Sequence, residues 1–262
     1  MRTNVLLWTV AALLTLVLGF WQRVSGPTYP IYGRATLGAA AFKYKLERTH
    51  AGPGDAVIVV TPGAPVAHGT LRWRDHEPVG AWSEVPLTSL SSKPGALAAP
   101  IPHHAAPQKV DYQVVLEDGG ATVTLPPQGV ATLRFRNDVP WWILIPHIIV
   151  MMGALLVAVR AFFEALRPQP KLDLLVLRAL AATFIGGFPL GCAVSGYAFG
   201  QPWGGFPLGN DATDNKTLVA FVGWAVAAAA VRMKANGRAW TIVAALLMFV
   251  VYLVPHSFVM PH

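Results

Sequence analysis

Apolar residues come in two rhythms along this chain. One rhythm is continuous: five runs, at 5–21, 141–163, 174–198, 217–232 and 239–255, are almost wholly hydrophobic. Each approaches the ~20 residues that a helix needs to cross the hydrocarbon of a bilayer. The other rhythm alternates. Phe42, Tyr44 and Leu46 are interleaved with Lys43, Lys45 and Glu47. Leu71 and Trp73 are interleaved with Arg72 and Arg74, and Leu133 and Phe135 with Arg134 and Arg136. Val110, Tyr112, Val114 and Leu116 alternate with Asp111, Gln113, Val115 and Glu117. A period of two buries one face of a strand and wets the other.

Turn residues punctuate the alternating region at Gly52-Pro53-Gly54-Asp55, Pro62-Gly63 and Glu117-Asp118-Gly119-Gly120. The last is a predicted hairpin turn, because Asp-Gly adopts positive φ at little cost. About seven short strands at this spacing predict a β-sandwich of immunoglobulin or fibronectin type III style. The pattern therefore predicts a membrane α-helical protein of five transmembrane helices with an all-β sandwich domain. Its parts are an N-terminal anchor (1–23), an extracytoplasmic sandwich (24–138) and a four-helix transmembrane domain (139–262).

Composition supports the membrane reading. Of 262 residues, 54% are hydrophobic and only 13% charged, against about 25% charged in an ordinary soluble domain. The net charge of +7 does not imply nucleic acid, because many cations flank the apolar runs and the rest form no dense cluster. Arg2 precedes the first run, Arg160, Arg167 and Lys171 surround the second link, and Arg232, Lys234 and Arg238 crowd the last one. The intervening loop carries Asp211, Asp214 and the single cation Lys216. The positive-inside bias then predicts a cytoplasmic N-terminus in a bacterial inner membrane, with the sandwich and the C-terminus in the periplasm. The first run is read as an uncleaved anchor, since Gly19-Phe20-Trp21-Gln22-Arg23 lacks a small-x-small cleavage pattern. The single cysteine, Cys192, allows no disulfide within the chain and no cysteine-rich metal centre.

Ionisable residues within membrane spans are functional suspects. His147 follows Pro146 in the second run, and His256 follows Pro255 at the end of the fifth. The predicted topology puts both at the outer face. A facing pair of imidazoles can ligate haem b iron, and the thioethers of Met151, Met152 and Met260 suit copper. The alternative is that each histidine bonds a carbonyl freed by its neighbouring proline. His103 and His104 in a Pro-rich loop are a further metal candidate, against a reading as solvated side chains, which also covers His50, His68 and His76.

The loop from 197 to 217 alternates aromatic, Gly and Pro residues and ends in Asp211, Asp214 and Lys216. One reading makes Thr213 or Asp214 the N-cap of the next helix. The other makes the three charged residues an outer-face polar cluster that meets His147 and His256. Trp141, Trp142 and Trp203 suit an interfacial aromatic belt. Gly-Gly-Phe-Pro-Leu-Gly occurs twice, at 186–191 and 204–209. In the first copy Gly187 and Gly191 predict one small-x-x-x-small face, and Pro189 predicts a kink.

The succession Val-Pro-Trp-Trp-Ile-Leu-Ile-Pro-His, then Tyr-Ala-Phe-Gly-x-x-Trp-x-Gly-Phe-Pro-x-Gly-x-Asp-x-Thr-Asp-Asn-Lys-Thr, then Val-Pro-His-Ser resembles a group of bacterial membrane proteins of unassigned activity. The resemblance covers about residues 36–257 and implies an outward β-sandwich on a helical membrane domain. It brings no activity with it.

The expected function is that of an accessory or assembly subunit of a membrane complex, in contact with the bilayer and with other membrane protein subunits. A haem- or copper-binding redox protein using His147 and His256 is the first alternative. An envelope- or lipid-modifying enzyme with Asp211, Asp214 and His147 as acid–base groups is the second, although no serine or cysteine nucleophile motif accompanies it.

Overall fold

A computed structural model describes residues 2–63 and 68–255. The chain divides into two compact units, a helical one from residues 1–27 and 139–262 and a β one from residues 28–138.

Helices occupy all five apolar runs. They are α1 (Arg2–Val24), α2 (Trp141–Ala165), α3 (Asp173–Ile185) continuing through a π-helical turn into α4 (Gly191–Phe199), α5 (Ala212–Arg232) and α6 (Gly237–Leu253). Among the described residues, three helical stretches are long and apolar enough to cross a membrane: Thr3–Val24, Trp141–Ala165 and Asp173–Phe199. The helix α6 is apolar but shorter, at 17 residues.

Small residues govern the packing. Ala154, Ala158, Ala161 and Ala165 line the buried stripe of α2, Ala220 and Ala227 that of α5, and Ala244 and Ala245 that of α6. Such side chains let helix backbones approach closely, and Leu155, Trp224 and Met248 fill the space that remains. The helix α2 is the hub and packs against α1, α3 and α6.

The π turn, Gly186–Leu190, encloses Pro189. Proline lacks the N–H that an α-turn needs, and a widened turn absorbs that loss within one continuous rod. This corrects the predicted single glycine face. A side chain at Gly187 would strike Thr217 of α5, whereas one at Gly191 would approach His147 of α2. The two glycines thus serve two different helix neighbours.

Among the described residues the β unit contains eleven strands rather than about seven. In order they are β1 (Ile31–Leu37), β2 (Ala40–Leu46), β3 (Thr49–Ala51), β4 (Ala56–Val60), β5 (His68–Asp75), β6 (Ser83–Pro86), β7 (Thr88–Ser89), β8 (Leu97–Ile101), β9 (Lys109–Asp118), β10 (Ala121–Leu125) and β11 (Ala131–Arg136). They form a two-stranded sheet β1-β2, a three-stranded sheet β4-β8-β7 and a six-stranded sheet β3-β11-β9-β5-β6, with β10 also on β9.

All three sheets contribute to one core. Its centre is β9, whose Val110, Tyr112, Val114 and Leu116 are completely buried, as the alternation predicts. The β9–β10 turn puts Gly119 at φ +53° and Gly120 at φ +85°. Positive φ at both central residues is what a type I′ hairpin requires.

Candidate functional site

The connection between α4 and α5 is a braced loop. Gly200 ends α4 at φ +75°, a left-handed conformation that suits glycine. Asp211 begins α5: its Oδ1 accepts the Thr213 and Asp214 amides at 2.8 and 3.0 Å. The cap is therefore Asp211, not Thr213 or Asp214. The helix begins at Ala212, and the polar turn through Lys216 is helical. Capping of this kind satisfies donors that have no intrahelical acceptor.

Asp214 reaches back into the loop and accepts the Gly204 amide at 2.6 Å, while Asn215 accepts the Phe206 amide at 2.7 Å. Trp203 donates its indole N–H to the Phe206 carbonyl at 3.2 Å. Its ring stacks on Phe188 of the π turn, with centroids 5.3 Å apart and planes 18° apart. Lys216 Nζ donates to the carbonyls of Val254 and Pro255 at 2.7 and 3.2 Å, so an ammonium caps the C-terminal end of α6. These contacts leave Phe206 and Leu208 at the loop tip 69% and 76% exposed.

His147 is half-buried, and its Nδ1–H donates to the Gly186 carbonyl at 3.0 Å. The carbonyl belongs to the π turn opposite, not to the turn of His147's own neighbour Pro146. A carbonyl can only accept, so this bond requires a proton on Nδ1. Met151, one turn on, lies against the same Gly186. Met152 lies against Gly19 of α1. Trp141 and Trp142, at the start of α2, are 69% and 60% exposed and meet edge to face at 6.1 Å.

Among the described residues no hydrogen bond or ion pair joins Asp211, Asp214 or Lys216 to His147. Their polar atoms hold backbone groups of the loop and helix ends. His256 and Met260 lie outside the described residues. No group of three or more His, Cys, Asp or Glu suited to a metal ion occurs among the described residues.

Four histidines of the β unit, His50, His76, His103 and His104, are engaged, while His68 is exposed at the start of β5. His103, His104 and His50 surround the Phe135 ring at centroid distances of 5.8, 5.1 and 5.5 Å. His104 bonds the Pro102 carbonyl at 2.7 Å and Asp75 at 3.1 Å. His50 bonds the Gly54 carbonyl at 2.8 Å. His76 bonds Asp111, which also accepts the Thr132 hydroxyl at 2.8 Å.

Two charged clusters escape the sequence reading. Asp111, on the polar face of β9 by alternation, is only 4% exposed. The strand register brings Arg74 and Thr132 directly opposite it from β5 and β11. In the helical unit Arg160 and Glu164 are 4% and 3% exposed and pair at 2.8 Å. Arg160 also donates to Asn4 of α1 at 2.7 Å and lies over the Trp8 ring at 5.6 Å. Glu164 accepts in addition from Arg167 and from the Lys171 amide, at 3.2 Å each. Arg160 is thus a buried ion-pair partner as well as a flanking cation. Its i,i+4 spacing to Glu164 at the end of an apolar run was the available signal.

No protein-family model and no curated protein matches the chain. Among solved structures it is similar to the crystal structure of a Br derivative of BhCBM56, a carbohydrate-binding module. The identity is 13%, the match covers 41% of this chain and 95% of that chain, and the TM-score is 0.27. A score that low carries no argument about fold or ligand.

Proposed function

We propose that the protein is an accessory or assembly subunit of a membrane protein complex in a bacterial inner membrane. In this reading five helices span the bilayer from a cytoplasmic N-terminus. An immunoglobulin- or fibronectin-like sandwich and the α4–α5 loop face the periplasm and dock the partner. The supporting observation is the braced loop. Asp211, Asp214, Asn215 and Lys216 hold backbone groups in place, while Phe206 and Leu208 stand exposed. A rigid loop that displays large apolar side chains loses little entropy on docking.

Native electrophoresis of gently solubilised membranes tests this. The wild-type chain is expected in a band well above its own 28.1 kDa plus detergent. A Phe206→Ser, Leu208→Ser variant is expected to run free at unchanged abundance. A wild-type chain that always migrates alone overturns the reading.

One observation favours a second reading, a copper or haem protein. Ligating histidines usually donate their other ring N–H to a carbonyl or carboxylate, and His147 does so toward Gly186 while Met151 lies against the same glycine. His147, His256, Met151 and Met260 would supply imidazole and thioether ligands. This reading expects iron or copper near one equivalent, or a Soret band, in protein from supplemented cells, with loss of either in His147→Ala. Metal-free wild-type protein under those conditions removes it.

A further inference from the structure

Among the described residues the strands β2 and β4 each have one pairing partner: β2 pairs with β1 and β4 with β8. The two lie side by side in the β unit, yet among the described residues no backbone hydrogen bond crosses between them. A cleft of about 480 Å³ runs between the two edges, within the ~300–1,000 Å³ of ordinary ligand clefts. Ile58 and Val60 from the core reach its floor. Tyr32 and Val57 line it while 59% and 53% exposed. Its remaining charged lining is Lys43, Lys45, Lys93 and Glu47. Lys45 and Glu47 pair at 2.5 Å, which leaves Lys43 and Lys93 without a counter-charge in the cleft.

We infer that this cleft takes an extended acidic segment of a partner protein, which adds as a β-strand along the open edge of β2. The inference rests on the docking reading above and narrows it to one edge and one peptide chemistry. Unpaired N–H and C=O groups along a strand edge are a template for another strand. Lysines there repel basic strands and discourage indiscriminate pairing; the same positive charge selects an acidic one. Val57 and Tyr32 provide apolar contact for the alternate residues of an occupant whose side chains repeat with period two.

The test uses the full chain in nanodiscs and fluorescein-labelled peptides read by anisotropy. The peptides are Thr-Asp-Val-Glu-Val-Asp-Thr, the same sequence with lysine at each acidic position, and the acidic sequence with proline replacing its central glutamate. The acidic peptide is expected to saturate. The basic and proline peptides are expected to bind at least about tenfold more weakly. Lys43→Glu with Lys93→Glu, both at exposed positions, is expected to weaken the acidic peptide by about tenfold with unchanged thermal unfolding. Equal affinity for acidic and basic peptides, an acidic peptide that fails to bind by ~1 mM, or a double variant that binds it as wild type does would each overturn the inference. If the peptides fail while the wild-type chain still runs in a larger native band, only the cleft assignment falls. If no larger band exists either, the docking reading falls with it.

Discussion

Replacing Glu164 with leucine is expected to destabilise the helical unit by about 3–5 kcal/mol, the usual cost of removing one partner of a buried ion pair. The carboxylate is acceptor for three groups at once: Arg160 at 2.8 Å, Arg167 at 3.2 Å and the Lys171 amide at 3.2 Å. Without it, Arg160 keeps its charge among buried helices with Asn4 and the Trp8 face as its remaining neighbours. Its Nε and Nη1 already have no hydrogen-bond partner among the described residues. Removing both charges should therefore cost far less than removing one. The double variant Arg160→Met, Glu164→Leu is expected to recover most of the lost stability, as packed apolar replacements of buried pairs often do. Denaturant unfolding in micelles across the four-membered mutant cycle gives the coupling energy directly. A double variant no more stable than Glu164→Leu contradicts the assignment.

That pair also marks where a single sequence stops being informative. Continuous apolar runs place the helices, because burial in lipid or in a helical core demands them whatever the partners are. The partner of Arg160 on α1, by contrast, is Asn4, 156 positions away. No local pattern announces it. The start of α5 lies earlier than a cap at Thr213 or Asp214 predicts, for a related reason. Thr213 to Lys216 are polar, as a capped first turn requires, so polarity alone does not separate them from the loop before Asp211. Asp211, Asp214, Asn215 and Lys216 satisfy backbone groups that only the folded loop brings near.

Alternation placed the interior of β9 and β2 correctly and the exterior less well. Asp111 sits at a polar position of the period, yet Arg74, Thr132 and His76 cover it. Register decides this, and register is a property of pairs of strands. The short β6 and β7 were invisible: together they are six residues, four and two, too few to show a period. The recurring Gly-Gly-Phe-Pro-Leu-Gly illustrates the same limit. The first copy forms a π turn inside a helical rod, and the second is loop held by Asp214 and Asn215. Identical hexapeptides thus take different backbones. Trp203, just before the second copy, joins them by stacking on Phe188 of the first.

In the β unit, Tyr112→Ala is expected to cost about 3–5 kcal/mol, in line with large-to-small changes of a buried aromatic residue. Tyr112 is wholly buried on the central strand, and its hydroxyl donates to the Glu47 carbonyl at 2.7 Å. Tyr112→Phe separates the two contributions: it keeps the ring and removes only the donor, so about 1–3 kcal/mol should be lost. Burial raises the pKa of this phenol well above the tyrosine range. Its contribution to stability is therefore complete below the ~10 of an unfolded tyrosine. Above that pH the unfolded chain releases the proton while the folded chain retains it, and stability declines as pH rises. The phenylalanine variant should accordingly lose stability uniformly below that point and show a shallower alkaline decline than the wild type. Parallel declines for the two proteins would mean that the Tyr112 hydroxyl reaches water in the folded state.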